Sequence, residues 1–219
     1  MSPDEPDGPP RVTAIKRRPE GPAVLTTSDG ETVIVHAEAL KLAGIREGDI
    51  FDHKARKKLD LEKYRQTAHN GALRHLSRRP RSEKELREYL RQRRIPADII
   101  EEEVERLRGA GLVDDEAFAE SWVGERQASA PRGQRLLRYE LLGKGVQAEV
   151  ADEAVLSVDD RTAALAVARG RAHRLADLEF RVFSQRLGGF LRRRGFAYDD
   201  IQEAVRTVWN ETVPESERR

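Results

Sequence analysis

The spacing of apolar residues changes character near residue 53. Before it, short runs rich in Val, Ile and Thr (VTAIKRR, PAVLTTS and ETVIVH) have the composition of strands. Asp29-Gly30 lies between the second and third runs. A DG pair flanked by β-formers predicts a hairpin whose type I′ turn has positive φ at both central positions. The segment ALKLAGIREGDIFD follows, with Gly44 and Gly48 placed for turns, so residues 11–52 read as a small β-module. Residues 1–10, made of Pro, Asp, Glu and Gly with little to bury, are expected to be a disordered tail.

From Lys54 onward the pattern is helical. Leu61, Tyr64, Ala68, Ala72, Leu73 and Leu76 share one stripe, which Pro80 closes. Ser82 with Glu85 three residues on makes a capping box, predicting a helix that begins at Glu83 with Leu86, Tyr89 and Leu90 along its apolar edge. Pro96 suits the first position of another helix, whose stripe is Ile100, Val104 and Leu107 and whose end is marked by Gly109 and Gly111.

One phrase then occurs three times: LREYLRQRRIPADIIEEEVERL (86–107), LRYELLGKGVQAEVADEAVLSV (137–158) and LGGFLRRRGFAYDDIQEAVRTV (187–208). The offsets are 51 and 50 residues, and they align Leu86, Leu137 and Leu187; Leu90, Leu141 and Leu191; Ile95, Val146 and Phe196; and Val104, Val155 and Val205. Arg94, Gly145 and Gly195 fall at the same joint between two helices. Glycine there allows a left-handed residue to end the first helix, whereas Arg94 is expected to end it differently. A further helix precedes each phrase, opened in the later two by Asp114-Asp115 and Asp159-Asp160 as caps. The fold class is therefore mainly α: three tandem three-helix repeats forming an elongated curved array, with a small N-terminal β-hairpin or β-module. The repeats are expected at 54–111, 112–158 and 159–210, and residues 211–219 as a tail.

Charged residues make up 36% of the 219 residues and aromatic residues 5%, which suits helices with wide charged faces and thin apolar stripes. The chain has no Cys, which excludes disulfides and thiolate metal sites and fits a reducing, cytoplasmic setting. No run approaches the roughly 20 apolar residues of a membrane helix, and the acidic N-terminus is no signal peptide. The five His are scattered, the paired acids sit at or near helix starts, and LLGKGV lacks the rest of a phosphate loop. The expectation is a non-enzyme with no catalytic residue, no metal and no cofactor.

The formal net charge of +1 conceals a partition: residues 54–94 carry 15 basic and 5 acidic groups, and residues 95–158 carry 7 basic and 14 acidic. Within RRPRSEKELREYLRQRR (78–94), eight bases face three acids. On a helix from residue 83, Lys84, Arg87, Arg91 and Arg94 form one stripe, and Arg78, Arg79 and Arg81 extend it into the preceding loop. Arg138 and Lys144 in the second repeat and Arg192, Arg193 and Arg194 in the third are the related candidates. Glu101-Glu102-Glu103 reads as a solvated face, and Tyr64, Phe118, Trp122 and Phe196 as core residues. The patch alone does not choose between DNA and an acidic protein surface.

The run RRPRSEKELREYLRQRRIPADIIEEEVERLRGAGLVDDEAFAESW resembles the signature region of the RecX family, bacterial regulators of the RecA recombinase. PRGQRLLRYELLGKGV and LRRRGFAYDDIQEAV are similar to it as well, so the resemblance spans about residues 67–208. It implies a modulator of homologous recombination and the SOS response that lies in the groove of the RecA–DNA filament. Such a protein depresses ATP hydrolysis, strand exchange and coprotease activity. The implied partners are the RecA filament and single- and double-stranded DNA, with no membrane, for a monomeric protein. The alternative is a stand-alone DNA-binding protein that blocks recombination by competing for DNA. The family offers no catalytic residue to carry over, and the β-module resembles an extension found in only some members.

Overall fold

The computed structural model describes residues 8–17 and 22–212. The expected disordered tail at 1–10 and the tail at 211–219 lie largely outside these residues. The described residues form two compact units, one within Met1–Arg79 plus Leu86–Ala110 and the other within Pro80–Glu85 plus Gly111–Arg219.

In the first unit, strands β1 (Val12–Lys16), β2 (Pro22–Thr27) and β3 (Thr32–His36) form an antiparallel sheet in sequence order. Helix α1 (Ala37–Ala43) ends on Gly44, whose φ of 67° permits the left-handed cap. Helix α2 (His53–Leu76) follows, capped by the Asp52 carboxylate, which accepts from the Ala55 N–H at 2.9 Å. Leu59 of α2 is buried in one cluster with Val12, Leu25, Val35, Leu40 and Phe51. The β-module and the start of α2 thus share a core. Arg56 reinforces it by pairing with Glu31 and lying 5.1 Å from the Phe51 ring.

The β2–β3 connection differs from expectation. Gly30 has φ 84°, but among the described residues Arg94 alone has positive φ without being glycine, so Asp29 does not. The Gly30 and Thr27 N–H groups donate to the Thr27 and Glu31 carbonyls. This is a three-residue loop with one left-handed position, which relieves Asp29 of that conformation.

The second half of α2 packs on α3 (Glu83–Gln92) and α4 (Ala97–Gly109). Gly71 lets Tyr89 and Leu90 approach its backbone, and Tyr89 is sandwiched between the His75 ring and the Arg93 guanidinium. Tyr64 is 41% exposed and Leu73 is also exposed, so the expected α2 stripe is buried only in part. Ala68 and Ala72 of that stripe are buried as expected, and Gly71 joins them, because small residues let the helices pack closely. Glu103 is another correction: it is 5% exposed rather than solvated. It accepts from the Arg106 guanidinium and lies 3.0 Å from His69 Nδ1, so its burial is compensated by polar partners.

The second unit holds α5 (Asp115–Ser129), α6 (Gln134–Gly143) and α7 (Ala148–Val155), then α8 (Asp160–Ala172), α9 (Phe180–Arg193) and α10 (Tyr198–Thr212). Phe118, Val123, Leu137, Leu141, Val146 and Val155 form the core of the first trio. Phe183, Leu187, Leu191, Phe196, Val205 and Trp209 anchor the second. Leu86, Leu90, Ile95 and Val104 are buried as well, so all twelve positions aligned by the repeats lie in cores.

Arg94 overturns an expectation. It has φ 58°, beside 87° at both Gly145 and Gly195, and so it ends its helix in the same left-handed way. The Ile95, Val146 and Phe196 N–H groups each donate to the carbonyl five residues earlier, which fixes the same turn three times. The need to bury Ile95 in register outweighs the cost of about 1–2 kcal/mol for a left-handed L-residue.

Candidate partner-binding surface

Two joints in the second unit determine which basic groups remain available. At the first, the Ser82 hydroxyl caps α3 by accepting from the Glu85 N–H at 3.2 Å and donates to the Lys144 carbonyl at 2.6 Å. The Glu83 N–H donates to Asp115 at 2.9 Å. Lys84 donates to the Gly143 carbonyl at 3.1 Å, and its stem leaves no room for a side chain at Gly145, where a Cβ would sit 2.5 Å from the Lys84 Cβ. The second joint repeats this design. The Gly133 N–H donates to the Arg194 carbonyl at 2.8 Å, and the Gln134 N–H to Asp160 at 2.9 Å. A Cβ on Gly195 would sit 2.4 Å from the Leu136 Cβ.

The paired acids therefore divide their work. Asp114 and Asp159 cap their own helices. Asp115 and Asp160 instead hold the first N–H of α3 and α6, a role that sequence reading missed because the partners lie 32 and 26 residues away. Burial pushes the Asp160 carboxyl above its ordinary range. The Gln134 N–H opposes that shift, while nearby Asp200 and Asp159 add to it.

The twelve candidate basic residues fall into distinct groups. Five have internal partners. Lys84 serves the first joint, and Arg87 of α3 pairs with Glu101 of α4 at 3.0 Å. Arg138 of α6 pairs with Asp152 of α7, which raises the guanidinium pKa and lowers the carboxyl pKa. Lys144 pairs with Glu85 at 2.7 Å and lies 5.0 Å from the Trp122 ring. Arg194 donates to the Pro131 carbonyl at 3.2 Å and lies over Phe190. Among the described residues, Arg78, Arg91, Arg94, Arg192 and Arg193 are exposed and their side chains make no hydrogen bond or ion pair. Arg79 is exposed and Arg81 half-buried, and each is engaged in interactions of its own.

The α6 face and the α9–α10 joint enclose a cavity of about 440 Å³ lined by Arg135, Leu136, Tyr139, Arg192, Arg193, Gly195, Phe196, Tyr198 and Ile201. Tyr139 and Tyr198 are 74% and 65% exposed. Neither tyrosine was singled out in the sequence, because neither belongs to an apolar stripe. Among the described residues, no cluster of three or more His, Cys, Asp or Glu is arranged to hold a metal, and no helix is long and apolar enough to cross a membrane.

Three family models match the chain in order: the first three-helix domain of RecX at residues 68–107, the second at 114–155 and the third at 159–205. The regulatory protein RecX of Mycolicibacterium vanbaalenii is 40% identical over 156 residues, covering 67% of this chain and 83% of its own length. That of Streptomyces coelicolor is 37% identical over 150 residues, covering 66% and 79%. A crystal structure of a regulatory protein RecX superposes with a TM-score of 0.73 at 21% identity, covering 90% of this chain and 99% of that one, a likeness of fold. RecX from Lactobacillus salivarius gives 0.61 at 26% identity, covering 66% and 96%. The β-module precedes the matched domains, while the three helical trios, with their aligned cores and left-handed joints, coincide with them. The chain belongs to the RecX family of regulatory proteins.

Proposed function

We propose that the protein is a non-enzymatic regulator of homologous recombination that binds the RecA–DNA filament. By this reading it lowers the filament's ATP hydrolysis, strand exchange and coprotease activity. The supporting observation is the set of exposed arginines with no internal partner, Arg78, Arg91, Arg94, Arg192 and Arg193, carried on the RecX helical framework. A positive group left without a partner at a folded surface favours an anionic partner, whether acidic protein or DNA. The mechanism is differential affinity: a protein that binds one filament geometry more tightly shifts the population toward it, and suppressed turnover follows if that geometry hydrolyses poorly. The working location is the bacterial cytoplasm, where such a filament forms.

The test is a titration of DNA-dependent ATP hydrolysis by RecA from the same organism, run at two salt concentrations. Substoichiometric protein is expected to suppress hydrolysis, and less so at the higher salt. Unchanged hydrolysis at every ratio, with filament binding confirmed by cosedimentation, refutes the proposal. Inhibition that excess free DNA relieves would instead assign the protein to competition for DNA.

A further inference from the structure

We propose that the cavity between α6 and the α9–α10 joint is a binding site for single-stranded nucleic acid. In it, Arg135, Arg192 and Arg193 hold phosphates while Tyr139 and Tyr198 stack on bases. The lining supplies three guanidinium groups and no carboxylate. None of the three guanidinium groups has a hydrogen bond or ion pair among the described residues, so their charge is available to a ligand. Two tyrosine rings stand beside them in solvent, over a floor formed by Leu136, Phe196 and Ile201. Charged groups that follow a backbone, combined with aromatic faces that accept any base, are what a single strand requires. An acidic peptide would use the arginines and leave both rings idle, and a duplex presents no base face to a tyrosine.

The repeat supplies an internal control. Residues that packing requires recur at the equivalent positions: Gly145 answers to Gly195, and buried Val146 to buried Phe196. Four of the cavity's five polar residues do not recur. At the same offsets the first joint keeps a cation, Lys84 for Arg135, but has Glu88 for Tyr139, Leu142 and Gly143 for Arg192 and Arg193, and Ala148 for Tyr198. The first joint folds without Tyr139, Arg192, Arg193 and Tyr198, so the second does not need them for packing. What remains to explain those four side chains is a ligand.

The proposal deepens the reading of Arg192 and Arg193 as partner-binding residues, and its test uses no recombinase, so either reading can fail alone. A fluorescein-labelled oligothymidylate is titrated with the full chain and followed by anisotropy. Tyr139→Ala and Tyr198→Ala are each expected to weaken binding about tenfold. Tyr139→Phe and Tyr198→Phe, which keep the ring, should stay close to the parent. The paired change R192A and R193A should also lower the slope of log affinity against log salt by about 0.7 per arginine. Both tyrosines are exposed, and a helix signal matching the parent's establishes folding. Titrations with oligouridylate and oligodeoxyuridylate, which share a base, show which sugar is preferred, and either preference with the same tyrosine dependence supports the site. Affinity unchanged in both alanine variants overturns the proposal. So does displacement by an oligoglutamate of equal charge as effective as by unlabelled oligothymidylate, which would mark an acidic-peptide site.

Discussion

Replacing Gly195 by alanine places a methyl group where the structure has least room. Its Cβ would lie 2.4 Å from the Leu136 Cβ and 2.6 Å from the Leu136 backbone nitrogen, both on the first turn of α6. A backbone atom cannot turn away as the end of a flexible side chain can, so either α6 or the α9–α10 joint must shift. Forcing one methyl into such a contact costs about 1–3 kcal/mol. The left-handed φ of 87° adds about 1–2 kcal/mol for any L-residue. The sum is about 3 kcal/mol, corresponding to a fall in Tm of roughly 6–12 °C for a chain of this size. Arg94→Gly is the control. Arg94 is exposed and already occupies the left-handed region, so the change removes only the conformational strain while making the unfolded chain more flexible. Its expected effect lies between neutral and about 1 kcal/mol of stabilisation. Urea denaturation followed by the helix signal reads both variants. A Gly195→Ala protein within about 0.5 kcal/mol of the parent would show that α6 is not held against this joint.

Two further predictions concern the groups that tie helices together. Burial raises the Asp160 carboxyl pKa, so the folded chain keeps that proton at pH values where the unfolded chain has lost it, and the group's contribution declines as pH rises through the folded value. Asp160→Asn keeps an acceptor for the Gln134 N–H and carries no charge, so urea midpoints at pH 7 should match or exceed the parent's. That advantage should vanish as the pH falls below the ordinary 3.8, and a loss above about 1 kcal/mol at pH 7 would contradict it. Leu59→Ala empties a position shared by the β-module and α2, at an expected cost of about 2–5 kcal/mol. Hydrogen exchange should then quicken in β2 and the first turns of α2 together, and acceleration confined to one of them would argue against a shared core.

Apolar periodicity made the twelve aligned core positions legible, because burial of large aliphatic residues at fixed offsets leaves its mark directly on the sequence. What the sequence hid were interactions with distant partners or competing costs. Asp115 and Asp160 read as helix caps, since the N–H groups they hold belong to helices that begin far upstream. Glu103 read as solvated, since His69 becomes its partner only when α2 and α4 pack. The Asp29-Gly30 turn was placed correctly and given the wrong geometry, because the identity of the pair does not fix the number of loop residues. The basic stripe of α3 was legible as charge but not as availability. Arg87 satisfies Glu101 while Arg91 is exposed, a difference set by the position of α4.

The repeat framework also accounts for where the series of joints stops. Each joint needs a helix that starts beside a left-handed glycine, with a free first N–H for the following aspartate. At the start of α6 the buried Gly133 donates its N–H to the Arg194 carbonyl and leaves the Gln134 N–H to Asp160; at the start of α3 the buried Ser82 hydroxyl donates to the Lys144 carbonyl and the Glu83 N–H goes to Asp115. The residue equivalent to Gly133 in the third repeat, one 50-residue offset later, is Phe183, which is buried and already inside α9. Its N–H is committed to the Glu179 carbonyl at 2.9 Å, because α9 begins at Phe180, upstream of that point. That position therefore offers no helix start equivalent to the one at Gly133. At the other limit, the α3–α4 joint carries Arg94 in place of glycine, and the packing at Gly145 and Gly195 leaves no space for a Cβ. The extra turn of α9 and the arginine at residue 94 are thus the two places where the repeats depart from the pattern that the two joints share.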